Sequence, residues 1–216
     1  MKDIDDMAND IIQMIDLGLS VKWGTCNVGA TKPEESGNFY SWGETEPKES
    51  YLMETYKLCL KIESWVDVEM SKYNIKPDDK NKSVVIKGKI DNLKTLTSAD
   101  DAANKVLGGK WRTPTIEEFV ELRNNCTWQW TTINGVSGYK VSSKKPGLEE
   151  NFIFLPAVGY KSSTVFQNPG THGYYWSGTV NEKNSNTALY FSFYEGSIGQ
   201  YATGRSYGLT IRPVCP

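Results

Sequence analysis

The sequence predicts an α+β protein with few helices and a strand-rich closing half, from three observations. Two helical patterns with start and stop signals fall mid-chain, within 97–125. Alternation of period two takes over after residue 126, and an N-terminal strand precedes both helices. Strand, helices and strands following in blocks make an α+β order.

Taking the elements in order, Ile4, Met7, Ala8, Ile11, Ile12 and Ile15 recur at helical spacing with Asp and Asn between them. The spacing predicts a short amphipathic helix over 1–15, acidic in its first turn. It packs on a single domain covering 16–216, an oligomer seam being the secondary reading. Residues 17–26 read as the first strand, carrying Val21 and Trp23. A short strand is expected at 38–42, where Phe39, Tyr40 and Trp42 anchor a stretch punctuated by Pro, Gly and Glu. Residues 52–71 mix apolar and charged side chains and favour neither helix nor strand. A charged insertion occupies about 60–95, with Lys76, Lys80, Lys82, Lys87 and Lys89 interleaved with acids. That mixture marks a solvated excursion before it marks a nucleic-acid contact.

The helices carry clearer signals. Thr97-Ser98-Ala99-Asp100-Asp101 is a capping run. Ala99, Ala102, Ala103 and Val106 then share a face, and Gly108-Gly109 stops the helix. Thr113 is the expected N-cap of the second helix, with Pro114 in its first position. Ile116, Phe119 and Val120 form its buried stripe beside Leu122, and Asn124-Asn125 ends it.

Beyond Cys126, Thr alternates with Trp128 and Trp130, and Asn134-Gly135 predicts a two-residue hairpin turn. The apolar run 152–155 reads as a central strand. In 187–194, Thr187, Leu189, Phe191 and Phe193 point one way, Ala188, Tyr190, Ser192 and Tyr194 the other. Residues 195–199 supply turn chemistry, and a last run at 207–214 buries Leu209 and Ile211.

Composition narrows the function classes. A net charge of -2 over 216 residues gives no general attraction to nucleic acid or acidic membranes. No run of about 18 apolar residues spans a membrane, so membrane insertion is not expected. The acidic start lacks the apolar core of a secretory signal. Two readings of location follow: cytoplasmic, or cell surface or phage particle where a leader was removed or is not needed. Cys26, Cys59, Cys126 and Cys215 lie far apart with one histidine, which argues against a zinc site and leaves their pairing open.

Catalytic constellations are thin. His172 is the lone histidine, in a turn-rich stretch where solvation is the default. Glu44 and Glu46 offer a carboxylate pair in a Pro-bounded surface loop without a sign of desolvation. Gln167-Asn168-Pro169 is similar to the calcium-lectin loop motif, but no Trp-Asn-Asp partner follows in the last strands. No cofactor and no metal is expected.

Seven ordered blocks carry a resemblance: DLGLSVKWGTCNVGA (16–30), YSWGETEP (40–47), DDAANKVLGGKWRTPTIEEFVEL (100–122), CTWQWTTINGVSGYKV (126–141), FIFLPAVGY (152–160), GYYWSGT (173–179) and LTIRPV (209–214). Together the chain resembles the Fibrobacter succinogenes major paralogous domain family, abundant in gut Bacteroidetes. The resemblance implies a C-type-lectin-like fold related to formylglycine-generating enzymes and to variable proteins of diversity-generating retroelements. In that fold the N- and C-terminal strands pair, two helices flank small twisted antiparallel sheets, and long loops carry function. The enzyme branch uses a reactive cysteine pair, for which only Cys126 and Cys215 stand in the C-terminal half. Nothing in the sequence brings those two together.

The leading expectation is a non-catalytic module binding a protein or glycan through the 173–207 segment. Tyr174, Tyr175, Asn181, Asn184, Asn186, Tyr190, Tyr194, Gln200, Tyr201, Arg205 and Tyr207 are its candidate ligand residues. Tyr gives large contact area at low entropy cost, and Asn adapts its hydrogen bonds. Adenine-directed diversification in related variable proteins leaves the same mix. The alternatives are a formylglycine-generating-like enzyme and a structural cell-surface or phage-tail component.

Overall fold

A computed structural model describes residues 12–64, 67–76 and 85–216. It is α+β, made mostly of small antiparallel sheets. The opening and closing segments meet in one of them. Strand β1 (Met14–Ile15) and β13 (Val214–Cys215) flank β2 (Lys22–Gly24), with Trp23 opposite Val214.

The expected N-terminal helix falls mostly on 1–11, outside the described residues. Its end is corrected: Met14–Ile15 is strand, its backbone committed to β2, and Thr25 N–H donates to Gln13 O nearby. The expected first strand shrinks to three residues because the chain bends through 18–21. The strand expected at 38–42 is a single bridge, Tyr40 to Leu209.

Both helices start later than their sequence signals. A 3-10 turn takes Ser98–Asp100, and α1 (Ala102–Leu107) is capped by Asp101, whose carboxylate accepts from Ala103 and Asn104 N–H. The same carboxylate accepts from Thr113 N–H and Oγ1, both at 2.8 Å. Thr113 therefore ties the two helices together and does not cap the second. Burial raises the Asp101 carboxyl above its usual range, against those four donors. Helix α2 (Ile116–Asn125) is capped by Thr115 in a reciprocal box with Glu118. Its buried side chains are Ile116, Phe119 and Leu122, with Val120 only partly covered.

The insertion is partly core. Strands β3 (Cys59–Ser64) and β4 (Asp67–Met70) form a hairpin, and Tyr73, Asn74 and Ile75 are buried. Asp91 accepts from the N–H groups of Tyr73 and Asn74 at 2.8 and 3.0 Å. These bonds span 17 and 18 residues of sequence, so a reading of local charge density misses them.

Next come β5 (Cys126–Ile133), β6 (Val136–Ser143) and β7 (Phe152–Pro156), in that order in their sheet. Asn134 and Gly135 have φ of 48° and 83°, the left-handed pair that a primed two-residue turn requires. Among the described strands β7 pairs only with β6, so the expected central strand is an edge. Packing, not a second strand, covers Ile153, Phe154 and Leu155.

A small hairpin, β8 (Tyr160–Ser162) with β9 (Val165–Gln167), precedes the sheet that matters most. That sheet joins β10 (His172–Val180), β11 (Thr187–Tyr194) and β12 (Ser197–Gly204) in order. Strand β12 lies where mostly turn and loop residues were expected. Only Glu195-Gly196 turns, and eight consecutive pairs then register with β11. Gly199 and small polar residues hide its period in the sequence.

The two faces of this sheet pack differently. Tyr175, Phe191 and Phe193 lie on one face, buried against Phe119 and Leu122 of α2 and against Trp23. Phe119 stacks on Phe191 at 4.7 Å between ring centroids and leans on Trp23 at 5.1 Å. Full burial of each such ring stabilises by roughly 2–3 kcal/mol. On the other face a second core covers only one end, where Trp176, Val180 and Ala188 meet Tyr40, Trp42, Leu209 and Ile211. The other end is covered only in part, with Tyr174 and Tyr190 packed against the margin of that core and Tyr194 and Tyr201 exposed beyond it.

Candidate functional site

The partly covered end collects tyrosines. Cross-strand pairs in an antiparallel sheet share a face, and the register sets Tyr174 opposite Ser192, Tyr190 opposite Tyr201, and Tyr194 opposite Ser197. Tyr160 on β8 and Tyr207 after β12 join from the side. The rings run in a chain: Tyr207 to Tyr160 at 5.8 Å, Tyr160 to Tyr174 at 4.8 Å, Tyr174 to Tyr190 at 6.0 Å and Tyr190 to Tyr201 at 5.8 Å. His172 extends it, stacked on Tyr174 at 5.9 Å and leaning on Tyr194 at 5.0 Å.

Two hollows of about 140 and 210 Å³ lie along this row and share Tyr174 and Tyr190. Thr203 and Leu209 help line the first, His172, Ser192 and Ser197 the second. No Asp, Glu, Lys or Arg among the described residues lines either. The Tyr174 hydroxyl accepts from Asn168 Nδ2 at 2.9 Å. The hydroxyls of Tyr160, Tyr190, Tyr194, Tyr201 and Tyr207 have no hydrogen-bond partner among the described residues. Burial pushes the Tyr190 phenol up to about 12, so it stays protonated and able to donate.

Gly199 sets the outer ring. A Cβ there would lie 2.8 Å from the Tyr201 hydroxyl and 3.0 Å from its ring carbons. A larger residue there would make that ring shift outward from its own strand.

Of the eleven candidate residues, the structure brings together Tyr174, Tyr190, Tyr194, Tyr201 and Tyr207. Two are corrected outright. Tyr175 is fully buried on the opposite face, its hydroxyl donating to Pro156 O at 2.8 Å. Arg205 is fully buried, donating to Lys72 O and Tyr73 O at 2.9 and 2.6 Å and lying 5.0 Å from the Trp42 ring. It pins the insertion to the end of β12 and offers nothing to a ligand. Gln200 is exposed, but its register with Phe191 puts it on the α2 side of the sheet.

The asparagines sit at the covered end, in the β10–β11 loop. Asn181 accepts from Lys183 N–H and donates to Thr187 Oγ1, while Asn184 accepts from Asn186 N–H. Asn186 reaches Val85 O at 3.3 Å. Strand rise separates the two ends of β11 by roughly 20 Å, so these amides build a turn away from the rings.

Sequence reasoning missed Tyr160, His172, Ser192, Ser197 and Thr203. Period two in 187–194 already put Ser192 on the tyrosine side. Nothing local marked Tyr160, which arrives from another hairpin.

The catalytic candidates are dispersed. Glu44 is buried and ion-paired with Lys48, while Glu46 pairs with Lys57 on the surface. Cys126 and Cys215 are buried in separate clusters, and burial pushes the Cys126 thiol up to about 11. Asn168 does turn chemistry beside Pro169, its carbonyl accepting from Thr171 and His172 N–H. No cluster of three or more His, Cys, Asp or Glu suited to a metal occurs among the described residues. No helix among them is long and apolar enough to cross a membrane.

One family matches part of the chain. A model described as a domain of unknown function (DUF8237) covers residues 128–214. No curated protein and no solved structure matches. All six platform tyrosines fall inside the DUF8237 segment, whereas Trp23 and α2, which support their sheet from behind, lie before it.

Proposed function

We propose that the chain is a non-catalytic ligand-binding module of C-type-lectin-like fold, similar to the Fibrobacter succinogenes major paralogous domain family. It presents the tyrosine face of β10–β12 to a protein or glycan, on a cell surface or phage particle, as variable proteins of diversity-generating retroelements do. The paired terminal strands, two helices and small antiparallel sheets are compatible with that fold. One observation carries the reading. Six tyrosines from five segments converge on the half of a sheet face that the second core covers only in part, five with uncommitted hydroxyls. A rigid sheet holding amphipathic rings preorganises a contact surface, which lowers the entropic cost of binding.

The test is a triple change, Tyr174→Ala, Tyr190→Ala and Tyr201→Ala, assayed on glycan and surface-protein arrays. Binding is expected to vanish while the melting temperature moves by only a few degrees. Retained binding, or a chain that no longer folds, removes the assignment. The enzyme alternative gains no observation, since its two cysteines stand in separate clusters.

A further inference from the structure

We infer that the ligand is an uncharged carbohydrate chain lying along the tyrosine row, held without calcium; this rests on the ligand-binding reading above. Charge is the first argument. Both hollows are lined by phenols, small hydroxyls, one imidazole and Leu209, with no Asp, Glu, Lys or Arg among the described residues. An acidic or basic ligand would leave water there and gain no partner of opposite charge. Calcium needs several oxygen ligands, usually including carboxylates, and neither hollow has a carboxylate.

Hydrogen-bonding type separates a sugar from a peptide. The platform is a sheet face, and backbone N–H and C=O groups in a sheet point within its plane toward neighbouring strands. An extended peptide laid across it would bury backbone amides against ring faces, where each unpaired amide is costly. A pyranose presents the complementary pattern. Its C–H faces meet the negative faces of the phenol rings, and its hydroxyls are both donors and acceptors, as are the five uncommitted tyrosine hydroxyls. Rings spaced 4.8–6.0 Å apart in a row suit a chain of such units better than one compact ligand.

The whole chain is titrated calorimetrically with cellohexaose, laminarihexaose, xylohexaose and mannohexaose. A hyaluronan hexasaccharide and a proline-rich decapeptide serve as controls. At least one neutral hexasaccharide should bind, unaffected by EDTA and nearly unaffected by salt, because no ion pair is there to screen. Tyr201→Ala should weaken it about tenfold or more. Tyr190→Phe, which keeps the ring and removes one hydroxyl, should weaken it about fivefold. Binding that needs calcium, falls steeply with salt, or favours hyaluronan overturns the inference. So does silence from all four neutral probes at millimolar concentration. If a peptide or protein binds instead and the triple tyrosine variant abolishes it, the carbohydrate inference fails and the platform stands. Neutral-sugar binding that survives the triple variant sinks the platform itself.

Discussion

The twelve tyrosines divide into two sets of six. Tyr40, Tyr51, Tyr56, Tyr73, Tyr139 and Tyr175 are buried, and each hydroxyl has a protein partner. Tyr51 donates to Phe39 O at 2.6 Å, Tyr56 to Trp42 O at 2.7 Å and Tyr175 to Pro156 O at 2.8 Å. Tyr73 reaches Asp100, Tyr139 reaches Tyr194 O, and Tyr40 accepts from Asn38. Tyr160, Tyr174, Tyr190, Tyr194, Tyr201 and Tyr207 are partly exposed, and only Tyr174 has a hydroxyl partner among the described residues. A buried phenol must satisfy its hydroxyl inside the protein, whereas a surface phenol can leave that bond to water or a ligand. The difference marks which rings hold the fold and which face outward. Neighbours in sequence fall on opposite sides of it: Tyr174 is platform and Tyr175 is core.

The sharpest way to break this division is Tyr175→Ala. It should cost about 3–5 kcal/mol by urea unfolding, as for other large buried aromatics. Tyr174→Ala, one residue away, should cost far less, and equal losses would erase the distinction.

Alkaline pH tests the buried set together with the half-buried Tyr190, whose phenol burial also pushes up to about 12. Burial pushes Tyr51, Tyr73 and Tyr175 up to about 12 each, against about 10 in an unfolded chain. Below about pH 10 both states keep these protons and the stability from burial is fully present. Between about 10 and 12 the unfolded chain ionises first, so stability falls as pH rises toward the folded values. Urea midpoints that stay flat from about pH 9 to 11 would contradict the packing of these rings.

A smaller effect is expected from Tyr51→Phe, which leaves the Phe39 carbonyl without its donor and should cost about 1–2 kcal/mol. The smallest belongs to Tyr201→Ala, half exposed at 51%, whose effect on stability should stay within about 0.5 kcal/mol. A larger loss would place Tyr201 with the structural set.

Elements whose signal is local were legible from the chain alone. The Asn134-Gly135 turn is one, since two left-handed residues in a row favour that pair of side chains. Strand β11 is another, its bounds matching the alternation from Thr187 to Tyr194. The existence of two mid-chain helices also followed from their apolar spacing, although the cap of the second did not. Asp101, at the end of the capping run, caps the first helix, whereas Thr115 caps the second in place of Thr113, whose N–H and hydroxyl are taken by Asp101.

What only the tertiary structure decided was the side each polar or aromatic residue ends on. Gln200 and Tyr201 are adjacent and both exposed, yet pairing with Phe191 and Tyr190 sends them to opposite faces. Arg205 looks like a ligand anchor until the insertion folds against it and takes its donors. Tyr160 joins the row from a hairpin that sequence order does not connect to it. Composition and period set how the segments fold locally. Long-range register and partial coverage by a second core set which surface remains, because neither is encoded within a single element.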